Sequence, residues 1–288
     1  MSQDKSSPTE ARNPVDEARE VRAGEGLDEA RLAGYLAQVL PQGAAGAAAD
    51  RGGAGGESSS LRVRQFPGGF SNLTYLVSYA GRDYVLRRPP FGSKVKSAHD
   101  MGREFGILSR LHPHYPAAPR PVCFCEDESV IGAKFYLMER IAGLILRREI
   151  PAESASLFAP TRMHALCERF VDTLVDLHAL DYQAIGLSDV GRPEGYVERQ
   201  VSGWSRRYRD AQTDDVPALD HMMGWLAGHL PTSPAATLIH NDYKFDNLVL
   251  DPADPTPLVN LGDACLAEGG IDGAEQALRA ALALDADL

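Results

Sequence analysis

The chain has 288 residues, of which 44% are hydrophobic and 24% are charged, as is ordinary for a soluble globular protein. Its 29 basic and 40 acidic residues give a net charge of −11, which argues against broad binding to the phosphate backbone of nucleic acid. No apolar run reaches the length of about 18 residues that a membrane-spanning helix needs, so we expect no membrane partner.

The first part of the chain is polar and of low complexity on both sides of one helical pattern. Residues 1–24 are charged and contain prolines, which predicts a disordered N-terminus without the apolar core of a signal peptide. Apolar residues recur at helical spacing from Leu27 to Leu40, where Pro41 ends the predicted helix. The Ala/Gly/Ser tract at 43–60 is typical of a flexible linker or loop.

An antiparallel sheet with one inserted helix is predicted in the following segment. Short apolar runs rich in β-branched and aromatic residues alternate there with Gly- and Pro-containing turns. The strands are predicted at Leu61–Phe66, Leu73–Tyr79, Tyr84–Arg88, Pro121–Glu126 and Lys134–Arg140, and the helix at Ala98–Leu111. This β-rich part, residues 25–141, is interpreted as an N-lobe.

Two of the four cysteines, Cys123 and Cys125, fall in a predicted strand. No second pair follows at the spacing of a metal site, so we interpret both as small apolar core residues. A reducing, cytosolic setting fits this interpretation, and the protein is expected to be cytoplasmic.

Helical patterns predominate from Ser154 onward. Helices are predicted at Arg162–Leu180, Gly195–Asp210 and Ala218–Leu230, the first with a single apolar stripe. A β-rich half followed by a helical half predicts an α+β fold of two lobes, with the crossover near Glu139–Gly143. Residues 142–259 would form a partial helical C-lobe.

One octapeptide in the C-lobe carries the strongest functional signal. His240-Asn241-Asp242-Tyr243-Lys244-Phe245-Asp246-Asn247 lies between two short apolar runs that read as strands. An Asp followed by an Asn five residues later is the catalytic-loop layout of a kinase, in which the Asp accepts the proton of the substrate hydroxyl and the Asn helps to hold Mg²⁺ on the ATP phosphates. A polar hairpin loop is the alternative, because Asp and Asn are common in loops.

Upstream features would complete a nucleotide site. The turn Gly68-Gly69-Phe70-Ser71-Asn72 separates two predicted strands, where backbone N–H groups can approach phosphates, although glycines often serve only as turn residues. Arg87 in the third strand stands where a kinase places the cation for the α- and β-phosphates, and Glu104 in the next helix could orient it. Arg88 is the alternative cation, although strand alternation points it to the other face. The alternative for Arg87 is a solvated cation at the edge of the sheet, and the alternative for Glu104 is an ordinary surface ion pair along its own helix.

A hinge for adenine is predicted at the end of the fifth strand. Met138, Glu139 and Ile141 follow the apolar run Phe135-Tyr136-Leu137. Backbone groups at this place are what a kinase offers to the adenine ring. The side chains themselves are not diagnostic.

In this order, these segments resemble the aminoglycoside phosphotransferase and choline kinase-like family, and in particular the phosphotransferases similar to the N-terminal kinase domain of acyl-CoA dehydrogenase fusion proteins. The matching residues are Phe66–Tyr75, Val85–Pro90, Arg103-Glu104, Phe135–Glu139 and His240–Asn247, within about Glu25–Pro257. The resemblance implies a protein-kinase-like fold with ATP and Mg²⁺ as cofactors.

The resemblance also implies the reaction, which is transfer of the γ-phosphoryl group to a hydroxyl of a small molecule. A hydroxyacyl thioester and an aminoglycoside-like alcohol are the acceptors it suggests. Asp242 would be the catalytic base and Asn247 a Mg²⁺ ligand, in a loop shaped by His240 and Lys244. The cation–acid pair in the N-lobe would anchor the phosphates.

The family pattern breaks after the catalytic loop. The family continues with a short strand that ends in a metal-binding Asp, usually as Asp-Trp-Glu. Asp263 lies sixteen residues after Asn247, close to that place, but no Trp-Glu follows it. Residues 260–288 resemble instead one tetratricopeptide repeat, with two helices around Gly269-Gly270. Asp263 is therefore either the second metal ligand or a repeat residue.

The truncated C-lobe leaves three hypotheses for the function of the chain. The first, on which we base the prediction, is an active small-molecule kinase with Asp263 as a metal ligand. The second is a catalytically impaired nucleotide-binding remnant. The third is an interaction protein that binds a protein partner through its C-terminal helices.

Overall fold

The computed structural model describes residues 18–40, 61–67, 72–92, 100–146, 159–232, 235–251, 257–259 and 265–268. The chain divides into two compact units. The first unit comprises the chain up to His112, Pro116–Phe170 and Lys244–Leu261. The second comprises Pro113–Tyr115, Val171–Tyr243 and the chain from Gly262 onward.

The first unit is built on a five-stranded antiparallel sheet with the strand order β1-β2-β3-β5-β4. The strands are β1 Arg62–Gln65, β2 Leu73–Tyr79, β3 Arg82–Arg88, β4 Pro121–Cys125 and β5 Phe135–Glu139. All five predicted strands are confirmed, with ends that differ by two residues or fewer. The register places Thr74 of β2 and Tyr136 of β5 on either side of Arg87.

Two helices belong to this sheet, and a side chain caps each at its N-terminus. Helix α1 (Glu29–Val39) begins after Asp28, which accepts a hydrogen bond from Arg31 N at 3.0 Å. Helix α2 (Met101–Leu111) begins after Asp100, which accepts from Arg103 N at 2.9 Å. The core between α1 and the sheet contains Leu32, Leu36, Tyr75, Leu86, Phe135 and Leu137, all fully buried.

The prediction of disorder at 1–24 is wrong for its last residues. Arg19 and Gln65 exchange two backbone hydrogen bonds of 2.8 Å, which extends the edge strand β1 by an isolated bridge. The Gln65 side chain accepts from Arg22 N at 3.0 Å and donates to Glu25. These non-local bonds satisfy the polar groups of an otherwise charged segment. Residues 1–17 and the predicted linker at 43–60 lie outside the described residues.

The first unit also extends past Ile141, where the predicted N-lobe ended. Leu144 and Leu250 exchange two backbone hydrogen bonds of 2.8 Å, and both are buried in one apolar cluster with Leu146 and Leu166. Strand β7 (Leu248–Leu250) pairs with β8 (Pro257–Val259), so a two-stranded ladder follows the catalytic-loop sequence. The predicted boundary is displaced because the strand after the catalytic loop packs against the crossover.

The three helices that the sequence predicts after Ser154 are confirmed. Helix α3 (Pro160–His178) enters this unit at Val171, and α4 (Tyr196–Ala211) packs against α5 (Pro217–Gly228). Tyr115 OH donates to Thr173 O at 2.8 Å, and Thr237 Oγ1 donates to the carbonyl of His178. No helix in the described ranges is both long and apolar enough to cross a membrane.

The predicted C-terminal helix is wrong at Cys265–Glu268. These residues form β9, which pairs antiparallel with β6 (Ala236–Ile239) and places Glu268 opposite Ala236. The ladder satisfies backbone groups through a partner about thirty residues away in sequence, which outweighs the helix propensity of Leu and Ala. The remainder of the predicted repeat lies outside the described residues.

Candidate active site

The predicted cation–acid pair is formed within the first unit. Arg87 lies in β3 and Glu104 in the first turn of α2, and Arg87 Nε is 3.5 Å from Glu104 Oε2. The two side chains are only 13% and 11% exposed. Solvent therefore screens this pair less than an exposed surface pair, and each charge needs the other to offset its desolvation.

Two neutral donors hold the Glu104 carboxylate in addition to the arginine. Asn72 Nδ2 donates to Glu104 Oε1 at 2.8 Å, and Tyr136 OH donates to Glu104 Oε2 at 2.9 Å. Both donors are buried. The carboxylate is thus bound at each oxygen, which limits its rotation and fixes the direction in which it presents charge to Arg87.

Neither of these two contacts was expected from the sequence. Asn72 was predicted to bind nucleotide, and the structure places its amide on Glu104. Tyr136 was noted only as part of an apolar strand. Tyr136 lies directly opposite Arg87 in the sheet, and this position is the signal that could have identified it. The sequence does not give this position, because it depends on which residues of β3 and β5 pair.

Arg88, the alternative cation, lies on the other face of β3, as strand alternation predicted. Its Nη1 donates to Ile131 O at 2.8 Å and its Nε to Pro89 O at 3.0 Å. Its guanidinium carbon lies 3.7 Å from the centroid of the Phe91 ring. Burial lowers the pKa of the Arg88 guanidinium. Arg88 therefore has a structural role, and Arg87 is the partner of Glu104.

The predicted hinge residues lie at the end of β5. Met138 is buried opposite Val85, and Glu139 N donates to Arg120 O at 2.9 Å. The Glu139 carboxylate accepts a hydrogen bond from the Arg120 guanidinium, which holds the pKa of Glu139 below its usual range. Ile141 follows as a partly buried residue. The role of these residues in adenine binding stays a prediction.

The first half of the catalytic-loop sequence lies in the second unit. His240 is buried, and its ring meets the Tyr243 ring edge-on with centroids 5.6 Å apart. Asn241 has a φ of 64°, a left-handed conformation that Asn adopts more readily than most residues. This turn leaves the Asp242 side chain exposed to solvent. Burial raises the pKa of Tyr243, which stays a neutral hydroxyl bonded to Thr173.

The second half of the loop lies in the first unit. Lys244 is exposed, and its carbonyl accepts from Asn247 N at 3.0 Å across the short 3₁₀ turn Phe245–Asn247. The Phe245 ring packs on Phe170 with centroids 4.5 Å apart. Leu248, the next residue after the turn, is fully buried. The turn is therefore fixed at its start by the packing of Phe245 and at its end by the burial of Leu248.

The remaining predicted ligands lie outside the described residues: Gly68, Gly69, Phe70, Ser71 and Asp263. In the ranges that are described, no group of three or more His, Cys, Asp or Glu side chains is placed to hold a metal ion. The predicted Mg²⁺ site therefore depends on Asn247 together with groups that other residues must supply.

Comparison with known proteins gives matches over most of the chain. Residues 62–272 match the sequence model of a family described as "Phosphotransferase enzyme family". Acyl-CoA dehydrogenase family member 11 of Gallus gallus is 35% identical over 248 residues, which are 84% of this chain and 29% of that protein. The chain thus spans less than a third of the length of this curated relative.

Solved structures match the same region. The crystal structure of a Ralstonia eutropha protein named as an aminoglycoside phosphotransferase has a TM-score of 0.68 and 29% identity, and covers 84% of this chain and 67% of that chain. The aminoglycoside 2'-phosphotransferase-IIIa in complex with GDP has a TM-score of 0.51 and 19% identity, over 73% of this chain and 68% of that chain. The predicted α+β, protein-kinase-like fold is confirmed by these likenesses.

Proposed function

The chain belongs to the phosphotransferase enzyme family, and we propose on that basis that it transfers the γ-phosphoryl group of ATP to a hydroxyl group of a small molecule. The observation that carries the proposal is the buried pair of Arg87 and Glu104, whose carboxylate is bound at both oxygens. A strand cation oriented by a helix carboxylate is how kinases of this fold hold the α- and β-phosphates.

Arginine suits this position for a chemical reason. The guanidinium keeps its charge at any physiological pH, and its planar fork can bind one carboxylate oxygen and a phosphate oxygen at the same time. With Glu104 fixed by Asn72 and Tyr136, Arg87 is oriented before nucleotide arrives. Less conformational entropy is then lost when the phosphates bind.

Asp242 is the proposed catalytic base. Its exposure leaves it accessible to an acceptor hydroxyl, and phosphoryl transfer through a loose transition state depends mainly on positioning the nucleophile and stabilising charge. His240, buried against Tyr243, would hold the loop backbone. Lys244 would add positive charge beside the loop.

The donor chemistry of the loop fits Mg²⁺. Asn247 offers an amide oxygen, and Asp263 in the proposal offers a carboxylate; hard oxygen donors are what this cation prefers. When bound, Mg²⁺ supplies neutralisation of the charge on the transferred phosphoryl group. The residues of the chain that we assign to it are Asn247 and Asp263.

From the names of the relatives we propose that the phosphoryl acceptor is a small molecule with a hydroxyl group. The name of the avian relative contains acyl-CoA, which is a thioester, and we propose a hydroxyacyl thioester as one acceptor; the names of the solved structures contain aminoglycoside, and we propose an aminoglycoside-like alcohol as the other. Both present a hydroxyl that a carboxylate base can deprotonate. A panel with both classes of acceptor separates them.

The test is thermal unfolding with and without Mg²⁺-ATP, followed by ADP release in the presence of the acceptor panel. ATP with Mg²⁺ at about 100 times its dissociation constant adds roughly 2.7 kcal/mol of stability, and a melting temperature raised by some degrees is expected. ATP with a chelator is expected to give a smaller rise. An unchanged melting temperature under both conditions contradicts the proposal.

The same experiment identifies the alternative, a nucleotide-binding remnant. Stabilisation by Mg²⁺-ATP without ADP release from any acceptor would assign the chain to that class. Asp263→Ala tests the proposed second ligand, since turnover that survives this substitution undiminished removes Asp263 from the metal site.

A further inference from the structure

Thr173 of α3 is a buried polar residue that the proposed mechanism does not use. It is 7% exposed and lies on the apolar stripe of the helix, at helical spacing from Leu166, Phe170 and Leu177. Among residues 171–178, the part of α3 in the second unit, Thr173 and Leu177 are the two that are buried. An apolar side chain would fill this position without the cost of burying a hydroxyl. A hydroxyl in this place indicates a polar partner.

The side chain of Thr173 is tied to the catalytic-loop sequence. It shares a hydrogen bond with the hydroxyl of Tyr243, and because burial raises the pKa of Tyr243, this hydroxyl takes part in the bond in its neutral form. Tyr243 directly follows Asp242, and its ring also meets the His240 ring edge-on at 5.6 Å between centroids. The residue next to the proposed base is therefore attached to α3.

Two further contacts place this part of α3 beside the loop segment. Thr237 Oγ1, in β6, donates to the carbonyl of His178, and Tyr115 OH donates to the carbonyl of Thr173 at 2.8 Å. The later helix residue, His178, thus contacts the earlier segment residue, and Thr173 contacts Tyr243, so the helix and residues 237–243 run antiparallel. Since Thr173 is bonded through its main chain as well as its side chain, it is a fixed point for the loop.

The position of Asp242 depends on the residues that flank it. Asn241 and Asp242 are exposed, and Asn241 has the left-handed φ of 64°. His240 before them is buried, and Tyr243 after them is hydrogen-bonded to α3. Phosphoryl transfer depends mainly on positioning, and a misplacement of about 1 Å can cost about 100-fold in rate. The contact that holds Tyr243 therefore bears on the rate.

We propose that Thr173 is a positioning residue for Asp242, which it holds in place through its hydrogen bond with Tyr243. Its effect on turnover rests on the proposed function. Its effect on the conformation of the loop does not, and is measurable whether or not the chain transfers phosphate.

Two substitutions of Thr173 separate the hydroxyl from the packing. Thr173→Val removes the hydroxyl and keeps the branched shape, whereas Thr173→Ser keeps the hydroxyl. The first measurement is hydrogen exchange of the full chain, read by mass spectrometry on peptides that contain residues 240–243. The valine variant is expected to raise exchange in this segment, and the serine variant to restore the rate of the unmodified chain.

The second measurement is kinetic and uses an acceptor that the unmodified chain phosphorylates. In Thr173→Val, kcat is expected to fall by up to about 100-fold with the KM for ATP unchanged, and in Thr173→Ser it is expected to recover. A role in stability alone does not predict this separation of kcat from KM. A lack of transfer by the unmodified chain contradicts the proposed function only, because the exchange measurement still decides on Thr173.

The matched control is Thr237→Val, which removes the hydroxyl of another buried threonine bonded to α3. It is expected to lower the melting temperature by a similar amount and to leave exchange at residues 241–243 unchanged. If Thr173→Val unfolds the chain, Tyr243→Phe removes the same bond from the other side and should raise exchange in the same segment. Exchange that stays unchanged in the folded variants, that Thr237→Val raises equally, or that Thr173→Ser fails to restore overturns the proposal.

Discussion

The hydroxyl of Tyr136 donates to Oε2 of Glu104 at 2.9 Å, and this is the carboxylate oxygen that faces Arg87. Tyr136 is also the cross-strand neighbour of Arg87 in the sheet. The same pairing of β3 with β5 thus sets the position of the cation and the orientation of the acid that binds it. The register of the sheet therefore determines the geometry of the candidate phosphate anchor, which is Arg87 with Glu104.

Replacing Glu104 by Gln is expected to weaken ATP binding. The substitution preserves the size of the side chain but removes the charge that orients Arg87, and a hydrogen bond to a charged group contributes roughly 1.5–3 kcal/mol, or about ten- to a hundred-fold in affinity. The measurement is the KM for ATP, supported by the melting-temperature shift with Mg²⁺-ATP. Glu126→Gln, which removes the exposed pair with Lys134, is the matched control and is expected to change the KM little. Equal effects of the two variants would contradict the assignment.

Replacing Asp242 by Asn is expected to lower kcat by about 10²- to 10⁴-fold, the usual contribution of a general base. Nucleotide binding should survive, because the proposed phosphate anchor, Arg87 with Glu104, lies in β3 and α2. The measurement is therefore kcat together with the Mg²⁺-ATP melting shift. Asp246→Asn removes an exposed carboxylate from the same loop and should retain most of the activity. Full activity in Asp242→Asn would show that another group takes the proton.

Replacing Gly143 by Ala is expected to destabilise the first unit. A Cβ at this position would collide with the carbonyl oxygen of Leu250 and would lie 2.7 Å from Val249 Cγ1. Overpacking of this kind costs about 1–3 kcal/mol, measured as the free energy of unfolding in urea. Gly34→Ala in α1 meets no atom within 4 Å and should instead stabilise by about 0.5–1 kcal/mol. A neutral Gly143→Ala would mean that the crossover separates readily from β7.

The half-buried His178 predicts a loss of stability on acidification. Burial lowers its pKa below the ordinary value of 6.5, so the unfolded chain binds a proton at a pH where the folded chain does not. The free energy of unfolding should therefore decrease as the pH falls through 6.5 towards the lowered pKa. In His178→Gln this part of the decrease should vanish, whereas His221→Gln, at an exposed position of α5, should retain it. Identical pH profiles for both variants would contradict the prediction.

Local pattern was sufficient to predict most elements of this fold. β2 was predicted with its observed bounds, and α3 within two residues at each end, because apolar periodicity is a property of the segment itself. The family resemblance likewise implied the pairing of Arg87 with Glu104. These features depend on residues close in sequence or on a motif in a fixed order.

Non-local pairing explains what the sequence did not predict. Cys265–Glu268 contain Leu, Ala and Glu, which favour helix, and they form a strand only because β6 supplies a ladder. The contacts of Asn72 and Tyr136 with Glu104 join the residue before β2, strand β5 and helix α2, and no single segment encodes them. The bridge of Arg19 to Gln65 is of the same kind.

The pairing of β6 with β9 has a consequence for synthesis of the protein. β6 leads directly into His240, and its described neighbour is a strand that the ribosome makes almost thirty residues later. Domains fold from the N-terminus as they emerge, so the sheet of the first unit can form while β6 still has a bare edge. Until Glu268 has left the exit tunnel, the nascent chain exposes that edge beside the segment that carries Asp242, and an unpaired strand edge is a place where another chain can pair wrongly.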